Sequence, residues 1–182
     1  MVDMDATNRE IRICKKCRLW ATRRNAVPGE GPLKPLIFLL GQAPGRMEDS
    51  TGRPFVGMAG RFLDRVLRET GIDRKDAFVT GALKCFPPKN RPPKWDEINE
   101  CRPYLEAQLE IRKPKIIVCL GSVAFSTLLM KRSKVEDFRG KALNYKGMPV
   151  YVTYHPAAAM RFPKLRTGML EDLKMVKTGL HN

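Results

Sequence analysis

Apolar residues along the chain fall into two spacings. Short runs at Leu36 to Leu40, Ala77 to Leu83, Lys115 to Leu120 and Pro149 to Thr153 read as strands, and the first and third are continuous, as in strands covered on both faces. Longer stretches carry a helical stripe. Ala59 to Thr70 places Phe62, Leu63, Val66 and Leu67 on one face, and Gly71 is positioned to end that helix. Asp96 to Arg112 has the same periodicity, but Pro103 interrupts it, which predicts two helices meeting just after Cys101. Ser122 is placed to cap a helix reaching about Met130, and a last helix covers about Thr167 to Thr178. Strands alternating with helices predict an α/β domain with a largely parallel sheet.

Ligands of such sheets bind beyond the carboxyl ends of the strands. After the first strand comes Gly41-Gln42-Ala43-Pro44-Gly45, the second runs straight into Cys85, and the last leads into His155-Pro156-Ala157-Ala158-Ala159-Met160-Arg161. The glycine-bounded loop lacks the Lys-Ser/Thr of a P-loop and the spacing of a dinucleotide fingerprint, so by itself it names no ligand. Gly52-Arg53-Pro54-Phe55-Val56-Gly57 sets an aromatic among glycines, although most phenylalanines are simply core. His155 is the only histidine outside the C-terminal tail and falls on the expected ligand face, which favours a functional role over a merely satisfied strand-end histidine.

A length of 182 residues fits one domain spanning 1–182. With 34 Lys+Arg against 19 Asp+Glu, the net charge of +15 points to a polyanionic partner. The excess is spread over Lys15, Lys16, Arg18, Arg23 and Arg24, over Lys84, Lys89, Arg91 and Lys94, and over Arg161, Lys164 and Arg166. That distribution favours nucleic acid. A membrane surface is the competitor, but no long apolar span or basic amphipathic helix supports it. The acidic start Met1-Val2-Asp3-Met4-Asp5, without an apolar core, predicts a cytoplasmic protein.

Cysteine usage sharpens the picture. Cys14 and Cys17 form a C-x-x-C bite in a basic stretch, and Cys85 and Cys101 bracket a Pro- and Lys-rich excursion. Compartment and spacing favour a four-thiolate metal site over disulfides, with zinc and an iron–sulfur cluster both open. The neighbouring lysines and arginines are expected to lower the thiol pKa values. Cys119 lies in an apolar run and reads as core.

Together, the loops Gly41 to Gly45 and Gly52 to Gly57, the four cysteines and His155 to Arg161 resemble a family 4 uracil-DNA glycosylase, from Cys14 to about Leu173. The resemblance implies a three-layer α/β/α sandwich around a four-stranded parallel sheet. It implies a structural [4Fe–4S] cluster held by Cys14, Cys17, Cys85 and Cys101. It also implies a monomer acting in the nucleoid on DNA that carries a damaged or deaminated base, whose N-glycosidic bond is hydrolysed. In that reading Phe55 stacks on the flipped base, with Gly41 and Gly81 also at the base. His155 donates to the base O2, and the loop at Gln42 and Ala43 supplies amide donors. Arg161, Lys164 and Arg166 contact phosphates, while Met160 or Phe162 acts as an apolar wedge.

Two positions depart from the family pattern. The family's first-loop acid is replaced by Gln42, and Ala43 stands where related family 1 enzymes carry a water-activating Asp. That leaves Glu48, Asp49 or a reaction with little base assistance. Gly81 stands where the family has a base-reading Asn, which is expected to enlarge the pocket and relax discrimination. Uracil is the first expectation, with hypoxanthine or xanthine as the alternative and a non-catalytic lesion-binding protein as a second. The segment Phe86 to Glu100 has no His, which argues against relatives that bond covalently to DNA through one there.

Overall fold

A computed structural model describes residues 3–180. In chain order the helices are α1 (Met4–Ile13), α2 (Arg46–Thr51), α3 (Met58–Glu69), α4 (Trp95–Arg112), α5 (Ser122–Leu129), α6 (Val135–Phe138), α7 (Pro156–Ala159) and α8 (Pro163–Gly179). The strands are β1 (Ile37–Gly41), β2 (Ala77–Gly81), β3 (Ile116–Leu120), β4 (Leu143–Tyr145) and β5 (Met148–Thr153). They form one sheet in the order β2-β1-β3-β5-β4.

The four strands expected from the apolar runs are present and mutually parallel. A fifth, β4, pairs antiparallel with β5 and makes the sheet five-stranded. It is three residues long and only partly covered, so it leaves no apolar run to read.

Alternating side chains of the parallel strands feed two cores. Ile37, Leu39, Val79, Val118 and Leu120 face Phe62, Leu63, Val66 and Leu67 of α3 and Met169, Leu173 and Val176 of α8. Phe38, Leu40, Phe78, Ile117 and Cys119 face Leu105 and Leu109 of α4 and Phe125 and Leu128 of α5. The result is the expected three-layer sandwich. A third, smaller cluster joins Ile11 of α1, Leu19 and Leu83 to Ile98, Cys101 and Tyr104 of α4.

Two local expectations are corrected. Asp96 to Arg112 is one continuous helix rather than two, with Pro103 inside it. Pro103 and Asn99, whose carbonyl loses its helical partner, are both exposed, so water can take up that carbonyl. Packing of Ile98, Cys101, Tyr104, Leu105 and Leu109 holds both halves on one axis. Ser122 is the first helical residue of α5 and makes no cap, because Gly121, at φ +96°, occupies the cap position. Gly71 does follow α3 in the left-handed conformation, at φ +70°.

Candidate active site and four-cysteine centre

The β1 and β2 ends meet in register at Gly41 and Gly81, and β5 ends two residues before His155. Beyond these ends lies a cleft of about 150 Å³ lined by Gln42, Ala43, Glu48, Phe55, Asn90 and His155, among others. Elements far apart in sequence thus converge where an open parallel sheet places its ligand.

His155 caps α7, and its Nδ1 accepts the backbone N–H of Ala157 at 3.2 Å. An accepting Nδ1 carries no proton, so in the neutral ring the hydrogen resides on Nε2. Burial keeps the ring neutral by lowering its pKa to about 4. His155 is therefore a neutral donor of fixed tautomer.

The ring of Phe55 lies beside it, with centroids 6.3 Å apart and planes 34° from parallel. Phe55 adopts φ +53°, uncommon for a bulky residue and the kind of local strain found at functional sites. Two glycines make its place. A Cβ on Gly41 would stand 2.6 Å from the Phe55 ring, and one on Gly60 would stand 1.7 Å from the Phe55 carbonyl oxygen. Gly41 thus makes room at the cleft for the Phe55 ring.

Glu48 fixes the loops from beneath. Its carboxylate accepts the Gly45 amide at 3.0 Å and the Gly57 amide at 2.8 Å, one oxygen each, joining the two glycine-bounded loops. Asp49 is buried away from the cleft and accepts the amides of Arg24 and Asn25.

Gly81 does not enlarge the cleft, which corrects the expectation drawn from its missing side chain. It is absent from the lining. The chain turns back over it, so that a Cβ there would meet the Leu83 carbonyl at 2.6 Å and the Ala43 Cα at 3.3 Å.

Cys14, Cys17, Cys85 and Cys101 line one cavity, together with Lys16, Trp20, Arg23 and Tyr104, and all are free thiols. Two of the sulfurs already act as acceptors: Arg23 Nη1 donates to Cys85 Sγ at 3.0 Å, and the Lys84 amide donates to Cys101 Sγ at 3.3 Å. The expected lowering of thiol pKa is not what the site does. Burial raises Cys17 and Cys85 and pushes Cys101 up to about 12, outweighing Arg23 at Cys85 and Lys84 at Cys101. Four free thiols lining one cavity are a donor set that fits a metal group, whose positive charge would favour their deprotonated form. Among the described residues, no three His, Cys, Asp or Glu side chains are grouped to hold a single metal ion. The buried Lys84 links this region to the sheet, its Nζ donating to Thr80 Oγ1, the Gly81 carbonyl and Gln108 Oε1 at 2.6–2.8 Å. Cys119 is buried in the second core, as expected.

The family model described as the Uracil DNA glycosylase superfamily matches residues 28–174. A type-4 uracil-DNA glycosylase of Saccharolobus solfataricus is 45% identical over 99% of this chain and 88% of its own length. The type-4 enzyme of Sulfurisphaera tokodaii is 44% identical over 97% and 84%, and that of Pyrobaculum aerophilum 41% over 96% and 93%. The chain belongs to the type-4 uracil-DNA glycosylase family.

In this family member the loop after α7 is exposed. Arg161 and Lys164 lie open to solvent, whereas Arg166 is held at 3.1 Å by Glu69 of α3. Arg166 is thus less available for phosphate than the basic run suggests. Phe162, 58% exposed at the cap of α8, projects more than Met160 at 39%. Sequence reasoning missed Asn90. It reaches the cleft from the excursion between the third and fourth cysteines, at φ +56° behind Lys89 at +55°. The Lys-Asn pair after two prolines was the available signal. Glu48 reads in the sequence as a candidate base; its bond to the Gly45 amide follows the N-cap to N3 spacing of a capping box, whereas its reach to Gly57 has no local signal. Among the described residues, no helix is long and apolar enough to cross a membrane.

Proposed function

We propose that this protein removes uracil from DNA by hydrolysing the N-glycosidic bond of a nucleotide flipped into the cleft. The observation that carries the reading is His155, a neutral donor of one tautomer beside Phe55 at the carboxyl end of the sheet. Phe55 stacks on the extruded base. As the bond breaks, the sugar gains oxocarbenium character and the base gains negative charge. His155 Nε2–H donates to the base O2, and loop amides at Gln42 and Ala43 add donors. Asn90 takes the base-reading part that a residue at 81 cannot take, its amide meeting the uracil N3–H and O4.

No strong base faces the sugar. Gln42 can orient water but accepts no proton as a carboxylate would, and both Glu48 oxygens already serve backbone amides. The step therefore draws on leaving-group stabilisation more than on water activation. Arg161 and Lys164 contact phosphates, and Phe162 fills the gap left by the flipped nucleotide.

The four cysteines hold a [4Fe–4S] cluster in this reading. The absence, among the described residues, of any three His, Cys, Asp or Glu side chains grouped for a single metal ion favours a cluster, whose ligands are spread over several irons, over one zinc held at about 2.3 Å. The cluster ties the N-terminal segment and the Cys85 to Cys101 excursion to the sheet and takes no part in bond cleavage.

The test is strand scission by alkali after incubation with oligonucleotides carrying one uracil, hypoxanthine or xanthine. Scission at uracil is expected. Tight binding without scission on any of them would make the protein a lesion binder, and preferred scission at a purine would reassign the base.

A further inference from the structure

A second depression is built from segments that adjoin the cleft in the chain. An open groove of about 540 Å³ is lined by Pro93, Lys94, Trp95, Ser122, Arg132 and Ser133, among others. Each of its walls follows closely in the chain on a residue at or against the cleft. One wall is the segment that leaves Asn90 and reaches Pro93 to Trp95. The other begins at Ser122, next to Gly121, where a Cβ would stand 3.0 Å from His155 Cβ.

The groove combines three chemistries. Trp95 is half-buried, packed against the cluster of Ile98 and Cys101, and lines the groove together with Val123 and Pro93. Ser122 and Ser133 bring polar groups, and Ser126 fixes the Ser133 turn by accepting its amide at 2.9 Å. The rim is basic: Lys94 and Arg132 line the groove, Lys131 and Lys134 flank its Arg132-Ser133 edge in the chain, and all four are exposed. Elsewhere the chain pairs many of its cations, as in Arg91 with Glu97, Arg102 with Glu106 and Arg139 with Asp172. Among the described residues, none of the four rim cations forms an ion pair.

An apolar aromatic floor with unpaired cations on its rim suits a nucleic-acid strand whose bases are free to stack. A duplex keeps its bases inside and offers Trp95 only its backbone. We propose that this groove holds an unpaired stretch of the DNA strand flanking the extruded nucleotide, with one base stacked on Trp95 and its phosphates against Arg132 and Lys131. The groove thereby gives the protein a footprint on single-stranded substrate that it lacks on duplex.

The proposal rests on the reading of the chain as a DNA enzyme, and binding separates the two: base release is scored independently of the groove's affinity. Anisotropy would compare single-stranded and duplex uracil oligonucleotides over a salt series, using Trp95→Ala and the surface double variant Lys131→Gln/Arg132→Gln. Trp95→Ala should weaken single-strand binding about tenfold, the loss of one stacked base. The double variant should lower the single-strand salt slope by about 1.4, two phosphate contacts at about 0.7 each. Duplex affinity should hold in both. In a Trp20→Phe background, single-stranded DNA should quench Trp95 and duplex should not. Equal losses on single strand and duplex, or no loss on either, would overturn the proposal. Selective single-strand losses in a protein that releases no base would uphold the groove and sink the glycosylase reading alone.

Discussion

The backbone amide of Ala157 donates to Nδ1 of His155 at 3.2 Å, two residues along the same chain. That bond commits the ring to donating through Nε2, and burial keeps it neutral down to a pKa of about 4. The donor is therefore built into the turn between β5 and α7 and does not depend on protonation near neutrality.

A pH profile follows with a definite sign. Above the ordinary histidine pKa of about 6.5, the ring is neutral in folded and unfolded chains alike. Below that, the unfolded chain binds a proton that the folded ring refuses until about pH 4, so this group's contribution to stability declines from about pH 6.5 to about 4. Single-turnover base release should show no inflection at 6.5 assignable to His155. An activity loss centred there and abolished by His155→Ala would contradict the neutral-donor role. His155→Ala itself should cost about 10²- to 10³-fold in kcat, with DNA affinity nearly intact.

Phe55 depends on Gly41. A methyl group at 41 would stand 2.6 and 2.8 Å from two ring atoms, so Gly41→Ala must displace the ring. If Phe55 stacks on the base as proposed, displacement of its ring by about 1 Å should lower base release about 10²-fold, with little change in binding to undamaged DNA. Unchanged kinetics in a folded Gly41→Ala protein would remove Phe55 from the base site.

Glu48 should matter for stability more than for proton transfer. Its two charge-assisted bonds to Gly45 and Gly57 are together worth about 3 kcal/mol, so Glu48→Ala should lower the midpoint of thermal unfolding by about 6–12 °C. Glu48→Gln keeps one amide oxygen as acceptor and should fall between the two. If Glu48→Gln instead unfolds like the wild type yet loses nearly all turnover, the carboxylate is the missing base.

Asn90 should set base choice. Asn90→Gly keeps the left-handed backbone and removes only the amide. The variant should lose about 10- to 10²-fold in kcat/KM for uracil while binding an abasic analogue normally, because only the intact base meets the amide.

The parallel core was legible because β1 and β3 are uninterrupted apolar runs and α3 carries a clean stripe. Strand β4 was not, since the alternation of Leu143, Asn144 and Tyr145 is only three residues long and too short to stand out. Pro103 misled because local chemistry argues for a break, while one-sided burial of α4 argues more strongly for continuity. Within the site, His155 and Phe55 were legible from position and company. The consequence of Gly81 was not, because the Leu83 carbonyl and the Ala43 backbone that fill the space above it belong to a turn and a neighbouring loop. Asn90 was hidden for a similar reason: its left-handed pair of residues turns a cysteine-bounded excursion back toward the sheet.

The most direct measurement is chromatographic detection of free base released by the purified protein from DNA containing a single uracil, alongside its visible absorption spectrum. Free uracil and a matching abasic strand, from a brown protein whose colour is lost in Cys101→Ser, are the predicted result. A colourless zinc protein would contradict the cluster, and DNA bound with its uracil still attached would contradict the glycosylase.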